Sequence, residues 1–183
     1  RQMCIRDRIW GYESIGIARS DDQMLEHLAS LPNGGQSSLG SDWQAGDIMF
    51  KDVNKDGRID TGANTVEDHG DLVVIGNTTP RFNYGIDITA DWKGIDFRLF
   101  LQGVGKRDYF QRSKYFFGSI GGSKWGTMVL KQHLNYYRDD PDHPLGLNTN
   151  SYYPRPHLDN GKNYQVQSMY LQNAAYMLSL IHI

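Results

Sequence analysis

The sequence predicts an all-β chain of antiparallel strands, and three observations carry that prediction. Apolar and polar residues alternate over two adjoining arms, a two-residue turn joins the arms, and the composition favours strands and turns. In the first arm the even positions are Phe82, Tyr84, Ile86, Ile88, Ala90 and Trp92, and the odd ones are Asn83, Gly85, Asp87, Thr89 and Asp91. Successive side chains of a strand point to opposite faces, so this arm has one greasy face and one polar face. Lys93-Gly94 supplies the turn, and the second arm resumes with Ile95, Phe97, Leu99 and Leu101 against Asp96, Arg98, Phe100 and Gln102. Aromatic residues make up 12% of the chain and glycines number 20, a balance that suits strands better than helices.

The remaining elements follow in order. Arg1 to Arg8 is charged and unpatterned, and it carries the one cysteine, Cys4, so no disulfide forms within the chain. Ile9 to Ile17 alternates as a short strand. Ser20 is the expected N-cap of one short helix, with Gln23 three residues on and Met24, Leu25, Leu28 and Leu31 at helical spacing. Pro32-Asn33-Gly34-Gly35 ends that helix, and Gln36 to Asp47 reads as a loop. Strands are expected over Gly46 to Asp52 and Gly70 to Gly76, with a turn at Asn77-Thr78-Thr79-Pro80.

Between those two strands lies a calcium-type loop. A hard cation such as Ca²⁺ takes six to eight oxygens, and a tight loop supplies them from alternate positions, the fourth being a backbone carbonyl. Asp52, Asn54, Asp56, the Arg58 carbonyl and Asp60 fill those places, and Gly57 sits where the chain must turn sharply. The position at which an EF-hand places a bidentate glutamate is Ala63. A later carboxylate, from Glu67, Asp68 or Asp71, would close the coordination if Thr61 to Gly70 folds back. Without a metal, the same residues make a surface loop held by Asx-turns.

Beyond Gly103-Val104-Gly105 aromatic and basic residues interleave from Lys106 to Phe117, and Trp125, Tyr136, Tyr137, Tyr152 and Tyr153 extend the supply. These rings are expected to pack on a neighbouring strand or to face a sugar. Leu134 to Pro156 reads as a long irregular excursion, a kind of segment that is usually functional. Aromatic and basic interleaving can stack nucleobases, but a net charge of −2 points away from nucleic acid. The six histidines show no HxH or HxxxH spacing, and no Gly-x-Ser-x-Gly elbow, phosphate loop or cysteine nucleophile is present. No enzyme is therefore expected. The chain has no apolar run of the ~18 residues that a membrane-crossing helix needs, which leaves a membrane-crossing strand open.

Several stretches together carry a family likeness. Trp10-Gly11-Tyr12-Glu13, Gly46 to Asp60, Ile75 to Gly85, Asp91 to Phe97, Phe100 to Val104 and Tyr170 to Tyr176 resemble, in order and spacing, the C-terminal half of the SusC/RagA family of TonB-linked outer-membrane proteins. The likeness runs from about Ile9 to Met177, with the calcium-type loop at 52–71. Residues 1–8 match nothing in that pattern, and after Met177 the usual Arg-Leu-Lys-Asn strand is replaced by Leu178 to Ile183. Both ends are read as non-native tails.

The resemblance implies antiparallel strands from a TonB-dependent outer-membrane β-barrel, with long extracellular loops. It also implies transport of large nutrients, oligosaccharides or peptides, across a bacterial outer membrane. The implied partners are a SusD-like lipoprotein acting as lid, outer-membrane lipid, and a TonB complex engaged through a part of the protein N-terminal to this one. Ca²⁺ at the loop would stiffen a segment at the rim. Alternation alone fits a second reading equally well, a soluble secreted β-sandwich that binds glycan with calcium as a structural ion.

Overall fold

A computed structural model describes residues 7–118, 129–157 and 161–182. Trp125, Cys4 and most of the N-terminal tail lie outside the described residues. Strand dominates helix, and every strand pair whose register is defined is antiparallel, in small open sheets. The chain divides into two compact units. One holds 7–9, 76–110 and 171–182 of the described residues; the other holds the rest.

Strand β1 spans Arg8–Tyr12, β2 Ser14–Ile17, β3 Ile48–Phe50, β4 Leu72–Asn77, β5 Arg81–Trp92, β6 Ile95–Lys106, β7 Asp108–Phe110, β8 Leu171–Asn173 and β9 Tyr176–His182. Helix α1 spans Asp21–Ala29 and α2 Lys114–Phe117. The strand expected over Ile9 to Ile17 is in fact two, broken at Glu13: β1 pairs with β4, and β2 with β3.

In the first unit the sheet order is β5-β6-β9. The β5–β6 hairpin closes at Trp92↔Ile95. Lys93 and Gly94 take φ of 48° and 84° there, the left-handed pair that a type I′ turn requires and that glycine adopts freely. Register then places Tyr84, Ile86, Ile88 and Ala90 beside Gly103, Leu101, Leu99 and Phe97, with Met177, Ser179 and Ile181 continuing the same face across β9. No charged side chain lies on it. The opposite face carries Asn83, Asp87, Thr89 and Asp91 with Asp96, Arg98 and Gln102, and Phe100, Val104, Tyr176, Leu178 and Leu180 share that side. Arg98 grips Asp87 through two hydrogen bonds, Nε to Oδ1 at 3.0 Å and Nη2 to Oδ2 at 2.5 Å.

The greasy face is open to its surroundings: every residue of β5 is exposed, Ile86 by 50% and Ile88 by 48%. Phe82, expected to begin that face, is a correction. Its φ of 58° lies in the left-handed region, so the alternation is interrupted and the regular face starts at Tyr84. The stretch from Leu178, read as a tail, continues β9 as far as His182 and pairs with β6 residue for residue.

The second unit buries its own apolar residues. Ser20 Oγ accepts the Gln23 amide at 3.2 Å and Gln23 Oε1 accepts the Arg19 amide at 2.8 Å, so α1 starts where its capping residues specify. Met24 is fully buried with Ala18 and Met49, and Leu28 and Trp43 pack against them. Leu25 lies about 100° round the helix from Met24 and is 62% exposed, so it does not join the core. Leu134 to Pro156 is irregular, as expected, but tied down: the Arg138 guanidinium donates to the carbonyls of Leu134, Leu145 and Gly146.

Candidate metal centre

The loop after β3 is built by its own side chains. Asp52 Oδ1 accepts the Lys55 amide at 2.5 Å and Asp52 Oδ2 accepts the Gly57 amide at 2.8 Å, which bends the chain back over the carboxylate. Lys55 and Gly57 take φ of 63° and 80° to make that bend. Asn54 Oδ1 accepts the Asp56 amide at 3.0 Å, and Asp56 Oδ1 accepts the Arg58 amide at 3.0 Å.

Closure comes from Asp71, whose side chain is fully buried. Its Oδ1 accepts the Val53 amide at 2.8 Å and its Oδ2 the Asp60 amide at 2.9 Å, so one carboxylate ties the start of the loop to its end. The intervening segment is returned to this point by Gly70. A Cβ there would stand 2.6 Å from the Asp60 carbonyl oxygen, and the φ of 55° is one a side chain resists.

Of the six ligands expected from sequence, the structure brings three together. Carboxylate oxygens of Asp52, Asp56 and Asp71 all lie within 4.8 Å of one another. Asp60 lies outside this group: its Oδ2 pairs with Arg58 Nε at 2.8 Å and its Oδ1 accepts the Gly62 amide, while the same Arg58 Nε also reaches Asp56 Oδ2 at 3.3 Å. Asn54 spends its carbonyl oxygen on the Asp56 amide and donates from Nδ2 to Asp56 Oδ2 at 3.1 Å. The Arg58 peptide lies beside Gly35 in an isolated bridge. Of the alternatives for closing the loop, Asp68 accepts the Ala63 amide within the 61–70 excursion, and neither it nor Glu67 reaches the group.

Three carboxylates this close repel one another unless a cation or proton intervenes. Burial pushes the Asp71 carboxyl above the usual carboxylate value, with the neighbouring Asp52 charge adding to it against the hydrogen bonds it accepts. For Asp56, desolvation acts upward but is outweighed by hydrogen bonds from Arg58 and Asn54, which hold it below that value. Tyr12 feels the same acidic surroundings. It is buried, its hydroxyl has no hydrogen-bond partner among the described residues, and burial together with Asp71 and Asp60 pushes it up to about 12.

These residues fit a hard cation. The donors are all carboxylate oxygens, with no histidine or cysteine among them, a set that suits Ca²⁺, Mg²⁺ or Mn²⁺ rather than zinc. Each carboxylate offers about four lone-pair directions; Asp52 accepts two donors and Asp56 and Asp71 three each, which leaves at least one direction on each for an ion.

Sequence reasoning missed a second polar centre in the same unit. Asp47 and Lys162 are both fully buried and pair at 2.6 Å. Asp47 also accepts His157 Nε2 at 2.8 Å, Asn163 Nδ2 at 2.8 Å and the Gln44 amide at 3.0 Å. Desolvation raises the Asp47 carboxyl, but these four donors outweigh it and hold the group low. Lys162 reaches the Asp42 carbonyl at 2.6 Å as well, and its amine stands 5.0 Å from the Trp43 ring centroid. The partners lie far apart along the chain, so only the fold brings them together.

No protein-family model matches the chain, and no curated protein matches it.

Proposed function

We propose that this chain is part of the membrane-spanning barrel of a TonB-linked outer-membrane transporter of the SusC/RagA type. It would import oligosaccharides or peptides, with a SusD-like lipoprotein as lid and energy supplied through a TonB complex. The observation that carries this reading is the two-faced β5-β6-β9 sheet, whose uncharged apolar side is exposed along β5 from Tyr84 to Trp92. Strands β5 and β6 have 12 residues each. At ~3.3 Å per residue such a strand is about 40 Å long, and tilted by about 45° it spans about 28 Å, close to the ~30 Å hydrocarbon core. Trp92 and Lys93 sit at the turn, where an aromatic girdle and an interfacial cation belong. Among the described residues the outer edges of β5 and β9 have no strand beside them, which accords with strands that continue into a larger barrel, because hydrocarbon leaves no backbone group unpaired.

In the same reading the Asp52, Asp56 and Asp71 group holds Ca²⁺ and stiffens a rim or extracellular segment. Asp71 stands in for the EF-hand glutamate, and waters or carbonyls complete the shell. The soluble sandwich would need a second sheet over Ile86 and Ile88, residues whose exposure favours lipid.

Fractionation of cells expressing the full-length polypeptide tests the location. The product should stay with outer-membrane sheets after alkaline carbonate extraction; release into the soluble fraction would end the transporter reading.

A further inference from the structure

We infer that the aromatic wall formed by Phe116, Tyr152 and Tyr153 is a subsite for an acidic sugar, a pyranose ring bearing a carboxylate, with Lys131 as its counter-charge. The cavity before this wall has a volume of about 670 Å³, is lined also by Gln132 and Asn135, and opens to solvent. Small-ligand sites fall in the range of about 300–1,000 Å³.

The wall is packed against its neighbours without any ligand. Tyr152 stands 43% exposed while Tyr153 and Tyr170 behind it are buried. Tilted and edge-on contacts fix its ring, with centroids at 4.9 Å from Tyr153, 5.4 Å from Tyr170 and 6.4 Å from Phe116. Buried His133 braces the structure: its Nε2 lies 3.0 Å from the carbonyl oxygens of both Tyr115 and Phe116, and its Nδ1 accepts the Leu130 amide. A ring held in this way loses little freedom on binding.

The polar rim sets the ligand class. Among the described residues the Lys131 amine has no partner and no acidic side chain lines the cavity. Asn135 Oδ1 accepts Asn148 Nδ2 at 2.9 Å, which leaves the Asn135 amide hydrogens to donate, and Gln132 retains its Oε1 as an acceptor. A purely apolar ligand would leave the ammonium, the Asn135 Nδ2 and the Gln132 Oε1 without use. A sugar acid offers axial C–H groups to the Tyr152 face, a carboxylate to Lys131, and hydroxyls that both donate and accept. As a binding site the subsite draws only on this unit, whereas the sugar's status as an imported substrate rests on the transporter reading.

Calorimetric titration of the full chain with trigalacturonate, and separately with the matching neutral galactose trisaccharide, tests the subsite. The acid should bind roughly two- to fivefold more tightly, the factor that one exposed ion pair carries. Lys131→Gln should erase that preference, and Tyr152→Ala should weaken both sugars by about tenfold, while Tyr152→Phe retains them. Absence of binding to the unaltered chain overturns the proposal, as does a preference that survives Lys131→Gln. Should Tyr152→Ala fail to fold by near-ultraviolet circular dichroism, Lys131→Gln on the surface still decides. Membrane fractionation is untouched by either result, so this subsite and the transporter reading fail separately.

Discussion

The two units of the chain dispose of apolar side chains in opposite ways. One turns Met24, Ile48, Met49 and Phe50 inward and uses polar groups to fasten what surrounds them; the other lays Ile86, Ile88, Trp92 and Ile95 on an outer face. Burial is worth ~25 cal/mol per Å² of apolar surface, so the first arrangement stabilises itself in water and the second forgoes that stabilisation. A contiguous apolar face of this kind marks lipid or a partner as its neighbour. The comparison teaches that identical residue types, isoleucine above all, are placed by the packing around them: Ile48 is buried, whereas Ile86, Ile88 and Ile95 are exposed.

The comparison can be broken first on the water-adapted side. Lys162→Met strands the Asp47 carboxylate in the interior and should cost about 3–5 kcal/mol in urea unfolding, with Asp47→Leu in the same chain restoring much of it. A loss under about 1 kcal/mol would mean that the pair is wetter than its geometry indicates. The same pair makes stability depend on pH. The Asp47 carboxyl is held below its unfolded value of about 3.9, so its contribution is complete above that value and disappears as pH falls through the lower folded value. An acid limb in the unfolding profile that vanishes in Asp47→Asn is the expected signature.

On the side with the exposed apolar face, the proposed barrel predicts that Ile88→Lys destabilises the full-length protein by about 2–4 kcal/mol when it is refolded into bilayers, whereas Thr89→Lys on the polar face has little effect. Equal, small effects at both positions would indicate a face that meets water. A smaller effect is expected at the acidic loop. Asp71→Asn removes one of three converging carboxylates and should weaken Ca²⁺ binding by at least about tenfold in calorimetry. Unchanged affinity would place the ion elsewhere, and no heat from the unaltered chain at millimolar Ca²⁺ would remove the ion altogether.

What the sequence disclosed follows the range of the interactions involved. The β5–β6 hairpin was legible because alternation and a Lys-Gly turn are local, and α1 because Ser20 and Gln23 cap it from within four residues. The acidic loop was legible in part. Asp52 and Asp56 share a tight local bend, and Asp71 was among the carboxylates able to close it, but the diversion of Asp60 to Arg58 depends on side-chain geometry that no spacing encodes. The Asp47–Lys162 pair left no local signal, since neither residue gains its partner until distant segments have met. The Phe82 conformation was hidden for the opposite reason: its side chain suits the alternation and its backbone does not. The break at Glu13 also escaped detection, because β1 and β2 keep a similar pattern while joining different partners.

Spin labels placed one at a time from residue 84 to residue 89, in full-length protein with Cys4→Ser in a native-like bilayer, would report which side of β5 meets hydrocarbon. The lipid-face account predicts that relaxation by molecular oxygen peaks at 84, 86 and 88 while relaxation by a water-soluble nickel chelate peaks at 85, 87 and 89. Strong nickel access at 86 and 88, or no alternation between the two probes, would contradict it.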